Sequence, residues 1–154
     1  MVAAAAALVE KSARLSQKQW EGAAGALERA EALRVESFGL IEEDAQAYVA
    51  FVEAVRSKQD VAAAHARTVD VPLRIIRAAS EVAELAVQLA QHGNPNLRAD
   101  AVVGAILAAA AAESGLLLIE VNLGEAAGDA RFAVAKKLAR KAGGLAASLR
   151  SGDS

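Results

Sequence analysis

The chain has 154 residues, enough to bury one core and too few for two. It is 55% hydrophobic, 3% aromatic and roughly a quarter alanine, which suits close-packed helices and is poor in residues that strands favour. Seventeen basic and nineteen acidic residues with no cysteine leave no basic footprint for a nucleic-acid backbone, no disulfide, no thiolate metal site and no cysteine nucleophile.

A first helix is expected over about Val2 to Ser16, and with no basic region ahead of its alanines it does not read as a signal peptide. A second helix runs from near Trp20 to about Ser57. Its Leu27, Ala30, Phe38, Ile41, Ala45, Tyr48, Val52 and Val55 recur at three- and four-residue steps and mark an apolar face. Gly39 costs ~1 kcal/mol against alanine, so a bend or a close helix contact is expected there. A third stretch spans Asp60 to His92, with a kink or break expected where Val71 precedes Pro72. Gly93-Asn94-Pro95-Asn96 then stops one helix and caps the next.

The fourth helix, about Leu97 to Leu123, has only Glu113, Ser114 and Glu120 as polar residues between Ala101 and Val121. A helix apolar nearly all round belongs at the centre of a bundle or between two subunits. Its uninterrupted apolar run, Ala101 to Ala112, is shorter than the ~20 residues of a membrane span. Gly124 to Gly128 should turn, Asp129 should cap a last helix to about Ala142, and residues 143–154 should fray. The sum is a single all-α domain over residues 1–154, a bundle of about five helices around a buried apolar one.

A di-iron bundle would need Glu-x-x-His pairs, but Ala62 precedes His65 by three and Leu89 precedes His92 by three. The histidines read as surface or structural groups, no metal is expected, and no phosphate-binding or nucleophile-elbow motif occurs. Asp44 borders the apolar face of the second helix, which is costly unless it has a partner or a task, although a solvated flanking acid is the plainer reading. Asp100 falls just after the first turn of the fourth helix, where satisfying the helix dipole is the plainer reading. Glu113 and Glu120 are candidate partners for Arg74 or Arg77.

The ordered set Glu42-Glu43-Asp44-Ala45-Gln46-Ala47-Tyr48, Val71-Pro72, Gly93-Asn94-Pro95-Asn96, Asp100 and Asn122-Leu123 resembles the C-terminal domain of the formiminotransferase-cyclodeaminase family over about Val2 to Ala142. The charge balance, the short apolar run and the lack of a signal peptide lead to an expectation of the cytoplasm, with no nucleic-acid or membrane partner, and the resemblance implies an all-helical homodimer. A tetrahydrofolate derivative would be its substrate, with no tightly bound cofactor. The implied reaction is release of ammonia from 5-formimino-tetrahydrofolate, or hydrolysis of 5,10-methenyl-tetrahydrofolate to the 10-formyl form. Asp44 and Asp100 would then do acid–base work or position water. Asn94, Asn96 and Asn122 would orient pterin amides or the helix ends, and Arg74 and Arg98 would meet the glutamate tail. Family members usually carry Pro-Gly-Gly-Gly-Ser ahead of the first helix, whereas here Met1 falls where that helix should already run, and Ala99 replaces a frequent serine. With no capping residue before Val2, the working protein is expected to start upstream of Met1. The alternative is a non-catalytic helical dimer that keeps the fold without the site.

Overall fold

The structure, a computed structural model, describes residues 1–124 and 128–151. These form α1 (Val2–Arg14), α2 (Ala23–Ser57), α3 (Val61–His92), a 3-10 turn (Pro95–Leu97), α4 (Arg98–Leu123) and α5 (Ala130–Ser151). No strand occurs among the described residues. The expected turn over Gly124 to Gly128 falls partly on residues 125–127, outside the described ones.

The two longest helices, α2 and α3, make an antiparallel hairpin stitched by the pairs Arg74–Glu43 and Arg29–Glu81. Short α1 lies antiparallel to α4: Lys11 reaches Asp100, and Gly104 rests on Val9 and Ala5. In this chain α3 packs against α1, α2, α4 and α5 and so holds the middle of the bundle, one of the two places expected for α4. α4 turns a face of Ala101, Gly104, Ala105, Ala108, Ala112 and Gly115 inward and leaves Val103, Ile106, Leu117, Leu118 and Val121 exposed. Small residues let its backbone come close to α3. A Cβ on Gly115 would stand 2.7 Å from Ile76 Cγ1. One 18-residue window within Pro95–Leu123 reaches a mean hydropathy of 2.1, which by length and composition alone would suffice to cross a membrane, and 39% of that window is buried inside the bundle. That exceeds what the Ala101 to Ala112 run suggested, because Glu113 dilutes the helix without ending it.

Three boundaries differ from expectation. α2 begins at Ala23, because the Ser16 carbonyl takes the N–H groups of Gln19 and Trp20 and forms a turn first. α3 passes Pro72 without a break. α5 continues beyond Ala142 to Ser151, because Ala146 and Leu149 are buried and their packing outweighs the weak propensity of Gly143 and Gly144. Gly39 makes no close contact, since a Cβ there would meet nothing within 4 Å. Asp129 caps α5 as expected, its Oδ1 accepting from the Arg131 N–H at 2.8 Å.

Candidate active site

The bundle opens where α1 begins. A cleft of about 170 Å³ is lined by Met1, Val2 and Ala3, by Ser37, Leu40 and Ile41 of α2, by Ile75 of α3, and by Ala111, Ser114, Gly115 and Leu118 of α4. Up to this point α1 fills the groove between α2 and α4. Beyond it Leu40, Ala47 and Val71 form a small apolar cluster of their own.

Asp44 sits one turn past Leu40 and Ile41 on the same side of α2. It is half-buried, and no ion pair reaches it among the described residues. Burial raises its pKa above the ordinary carboxylate value, because the anion has lost water and gained no counter-charge. A carboxyl so placed beside a cleft can pass a proton in either direction.

One turn of α4 beyond Leu118, the last cleft residue of that helix, lies Asn122. Pro72 has no N–H, so the Thr68 carbonyl four residues earlier lacks its helical donor. Asn122 Nδ2 supplies the missing donor at 2.7 Å. The backbone carbonyl of Asn122, near the end of α4 where helical donors run out, accepts from His65 Nε2 at 2.7 Å, which places a proton on that ring nitrogen. Phe51 of α2 tilts against the His65 ring at 5.5 Å between centroids. The network uses the amide nitrogen and the backbone carbonyl of Asn122 and gives its amide oxygen no partner among the described residues.

The other expected residues lie elsewhere. Asp100 pairs with Lys11 at 2.8 Å, at the far end of α1, so about 15 Å of helix separates it from the cleft and more from Asp44. The structure does not bring the two aspartates together. Asn94 caps the 3-10 turn through the Asn96 N–H at 3.0 Å, and its own N–H donates to Ser16 Oγ at 2.8 Å. Both residues thus lock the end of α1 to the start of α4. Arg98 donates to the Leu149 carbonyl at 3.4 Å. Arg74 pairs with Glu43, which lies about 100° round α2 from Asp44. Glu113 and Glu120 stay on the outer face of α4 and do not take up Arg74.

Sequence reasoning missed Ser37 and Ser114 as cleft residues. Each spends its hydroxyl proton on its own helix, Ser37 on the Leu33 carbonyl at 2.6 Å and Ser114 on that of Ala110 at 2.8 Å, and keeps lone pairs for a donor. Ser114 was visible as a polar interruption in an apolar helix. The role of Asn122 could have been sought from Pro72, which obliges some outside group to serve the Thr68 carbonyl. No group of three or more His, Asp or Glu side chains among the described residues is placed to hold a metal ion.

The family model described as formiminotransferase-cyclodeaminase matches residues 1–142. No curated protein matches the chain. Among solved structures it is similar to formiminotetrahydrofolate cyclodeaminase from Thermotoga maritima, with a TM-score of 0.88 and 23% identity, covering 97% of this chain and 82% of that one. At that identity the likeness is one of fold, and the family match adds the lineage: the chain belongs to the formiminotransferase-cyclodeaminase family.

Proposed function

We propose that this chain is a folate one-carbon enzyme working as a cytoplasmic homodimer. It releases ammonia from 5-formimino-tetrahydrofolate, or carries out the related hydrolysis of 5,10-methenyl-tetrahydrofolate. The observation that supports this reading, beyond family membership, is Asp44: half-buried, without a counter-charge among the described residues, and one turn of α2 beyond the cleft residues Leu40 and Ile41. In the deamination, a bond forms between N10 and the formimino carbon while the bond from that carbon to the departing nitrogen breaks. The departing nitrogen needs a proton, and N10 must lose one. A carboxyl whose burial raises its affinity for a proton can give the first and recover the second. The lone pairs of Ser37 and Ser114 and the amide oxygen of Asn122 are the acceptors for pterin N–H groups.

Asp100 is assigned to its ion pair with Lys11 and not to the reacting atoms. Arg74 and Arg98, engaged by Glu43 and the Leu149 carbonyl, are not assigned to the substrate. Ammonia release from 5-formimino-tetrahydrofolate and loss of the near-ultraviolet absorbance of 5,10-methenyl-tetrahydrofolate test the reading. Asp44→Asn should lower kcat by about 10²–10⁴-fold, the usual scale for a general acid–base group, whereas Asp100→Asn should stay within a few-fold. A folded wild-type protein that turns over neither compound would favour the non-catalytic relative.

A further inference from the structure

The charges of this chain are unevenly shared. α5 carries six basic residues and no acidic one, whereas the rest of the chain carries eleven basic and nineteen acidic. Four of the six, Lys136, Lys137, Arg140 and Lys141, fall within six residues and are all exposed, on the side of α5 away from the buried Ala135, Ala139 and Ala142. α3 adds a fifth cation. Asp70, Arg77 and Glu84 follow one another by seven residues on one side of α3, and the outer two reach α5, Asp70 at Arg131 and Glu84 at Lys141. Arg77 therefore stands beside α5 midway between Arg131 and Lys141, and it is exposed.

No contact within the chain accounts for this clustering. Lys136 with Arg140, and Lys137 with Lys141, are like charges one helical turn apart, which weakens a helix. The helix dipole favours cations in the last turn, and Lys141 lies about two turns before it. Glu84 pairs with Lys141 at 2.6 Å, and the Lys136 ammonium lies over the Phe132 ring, 5.9 Å from its centroid. Arg77, Lys137 and Arg140 have no ion pair among the described residues.

The size of the patch selects the partner. From Lys136 to Lys141 it covers about 8 Å of helix axis. Past it the exposed Gly143, Gly144, Ala147 and Ser148 carry no charge, and before it stand Asp70 and Asp129. A long phosphate backbone would run off the cations and meet the field of a chain that is acidic overall. A short acidic helix fits, because carboxylates three and four residues apart repeat the spacing of the cations themselves. α5 contributes no residue to the cleft, so this face is separate from the candidate active site.

We propose that the outward face of α5, with Arg77 of α3, docks an acidic helical segment of a partner protein. The proposal does not rest on the folate reading.

The probe is a fluorescein-labelled helical peptide of about 14 residues with four glutamates at i, i+3, i+4 and i+7, followed by anisotropy at low ionic strength. Lys137→Glu combined with Arg140→Glu should weaken binding at least about tenfold. The same reversal turns both like-charged pairs into opposite ones, so the thermal midpoint should hold or rise while binding is lost. Lys18→Glu combined with Arg56→Glu, exposed positions outside α5, makes the same change in net charge and should stay within about threefold of the wild type. A peptide that does not bind, or that loses as much affinity to the second pair of changes as to the first, overturns the proposal. A peptide with its glutamates scattered round all sides that binds equally well overturns the helical partner. A single-stranded oligonucleotide of equal charge that binds more tightly makes the occupant a nucleic acid and overturns it too. Light scattering that shows self-association abolished by the α5 reversal makes the occupant a second copy, with the same consequence.

Discussion

The proximal half of α2 buries Ala23, Ala26, Ala30, Leu33, Ser37 and Leu40, while the distal half buries only Ala47 and Ala54. Both halves belong to one unbroken helix of 35 residues, and both carry apolar residues at helical spacing. They differ in what lies over them. α1 covers the proximal half, and Glu10 fastens it there through Arg34 at 2.7 Å, whereas among the described residues the distal half packs chiefly on α3. An apolar stripe thus becomes core in one half and surface in the other, and Asp44 sits at the change, close enough to apolar walls to lose water and still open to a ligand.

Truncation should break the comparison most sharply. Leu33→Ala empties a fully buried site and should cost about 2–5 kcal/mol, whereas Val52→Ala, measured in urea melts at high dilution, should cost less than about 0.5 kcal/mol. Equal losses would mean that the distal half is already packed in the single chain.

The next effect concerns the floor of the open groove. Asn122→Ala removes the donor that serves the Thr68 carbonyl and should cost about 1–3 kcal/mol. Pro72→Ala gives that carbonyl its helical N–H back, so the cost of Asn122→Ala should shrink in the Pro72→Ala background. A strictly additive double-mutant cycle would show that the amide does not stand in for the missing helix bond.

Glycines report on the same contrast with opposite signs. Gly115→Ala drives a methyl into Ile76 and should destabilise by about 1–3 kcal/mol. Gly39→Ala, at the junction of the two halves, meets nothing within 4 Å and should stabilise by about 0.5–1 kcal/mol. A loss at Gly39 would restore the bend or close contact that the sequence suggested there.

The smallest effect is in pH. Asp44 has a raised pKa when folded, so the native state holds its proton longer than the unfolded chain. Between the ordinary value of 3.8 and the raised one, its contribution to stability falls as pH rises, and the penalty persists above that window. Asp44→Asn should remove this slope and leave the protein slightly more stable at neutral pH. Asp129 behaves in the opposite way. The Arg131 side chain and backbone N–H hold its pKa down at about 2, so its contribution is present above the ordinary 3.8 and lost as pH falls toward 2. Urea midpoints of Asp44→Asn and Asp129→Asn across acid pH should diverge, and parallel curves would remove the distinction between the two carboxylates.

Local features were legible because local chemistry makes them. The long alanine-rich stretches are helices, Asn94 caps its turn, Asp129 caps α5, and the motif order around Asp44, Pro72 and Asn122 marks the family that the match over residues 1–142 establishes. Periodicity says that a face is apolar, but it carries no information about which other segment covers it. The sequence therefore could not show that α1 stops short of the distal half of α2, or that α3 takes the centre while α4 keeps one side bare. Nor could it show that Gly143 and Gly144 stay helical under the packing of Ala146 and Leu149. The site divided in the same way: residue types suggested Asp44 and Asp100 together, and packing put one beside the cleft and the other on Lys11. Those outcomes depend on contacts between residues far apart in the chain, whose distances are set only when five helices have settled around one core.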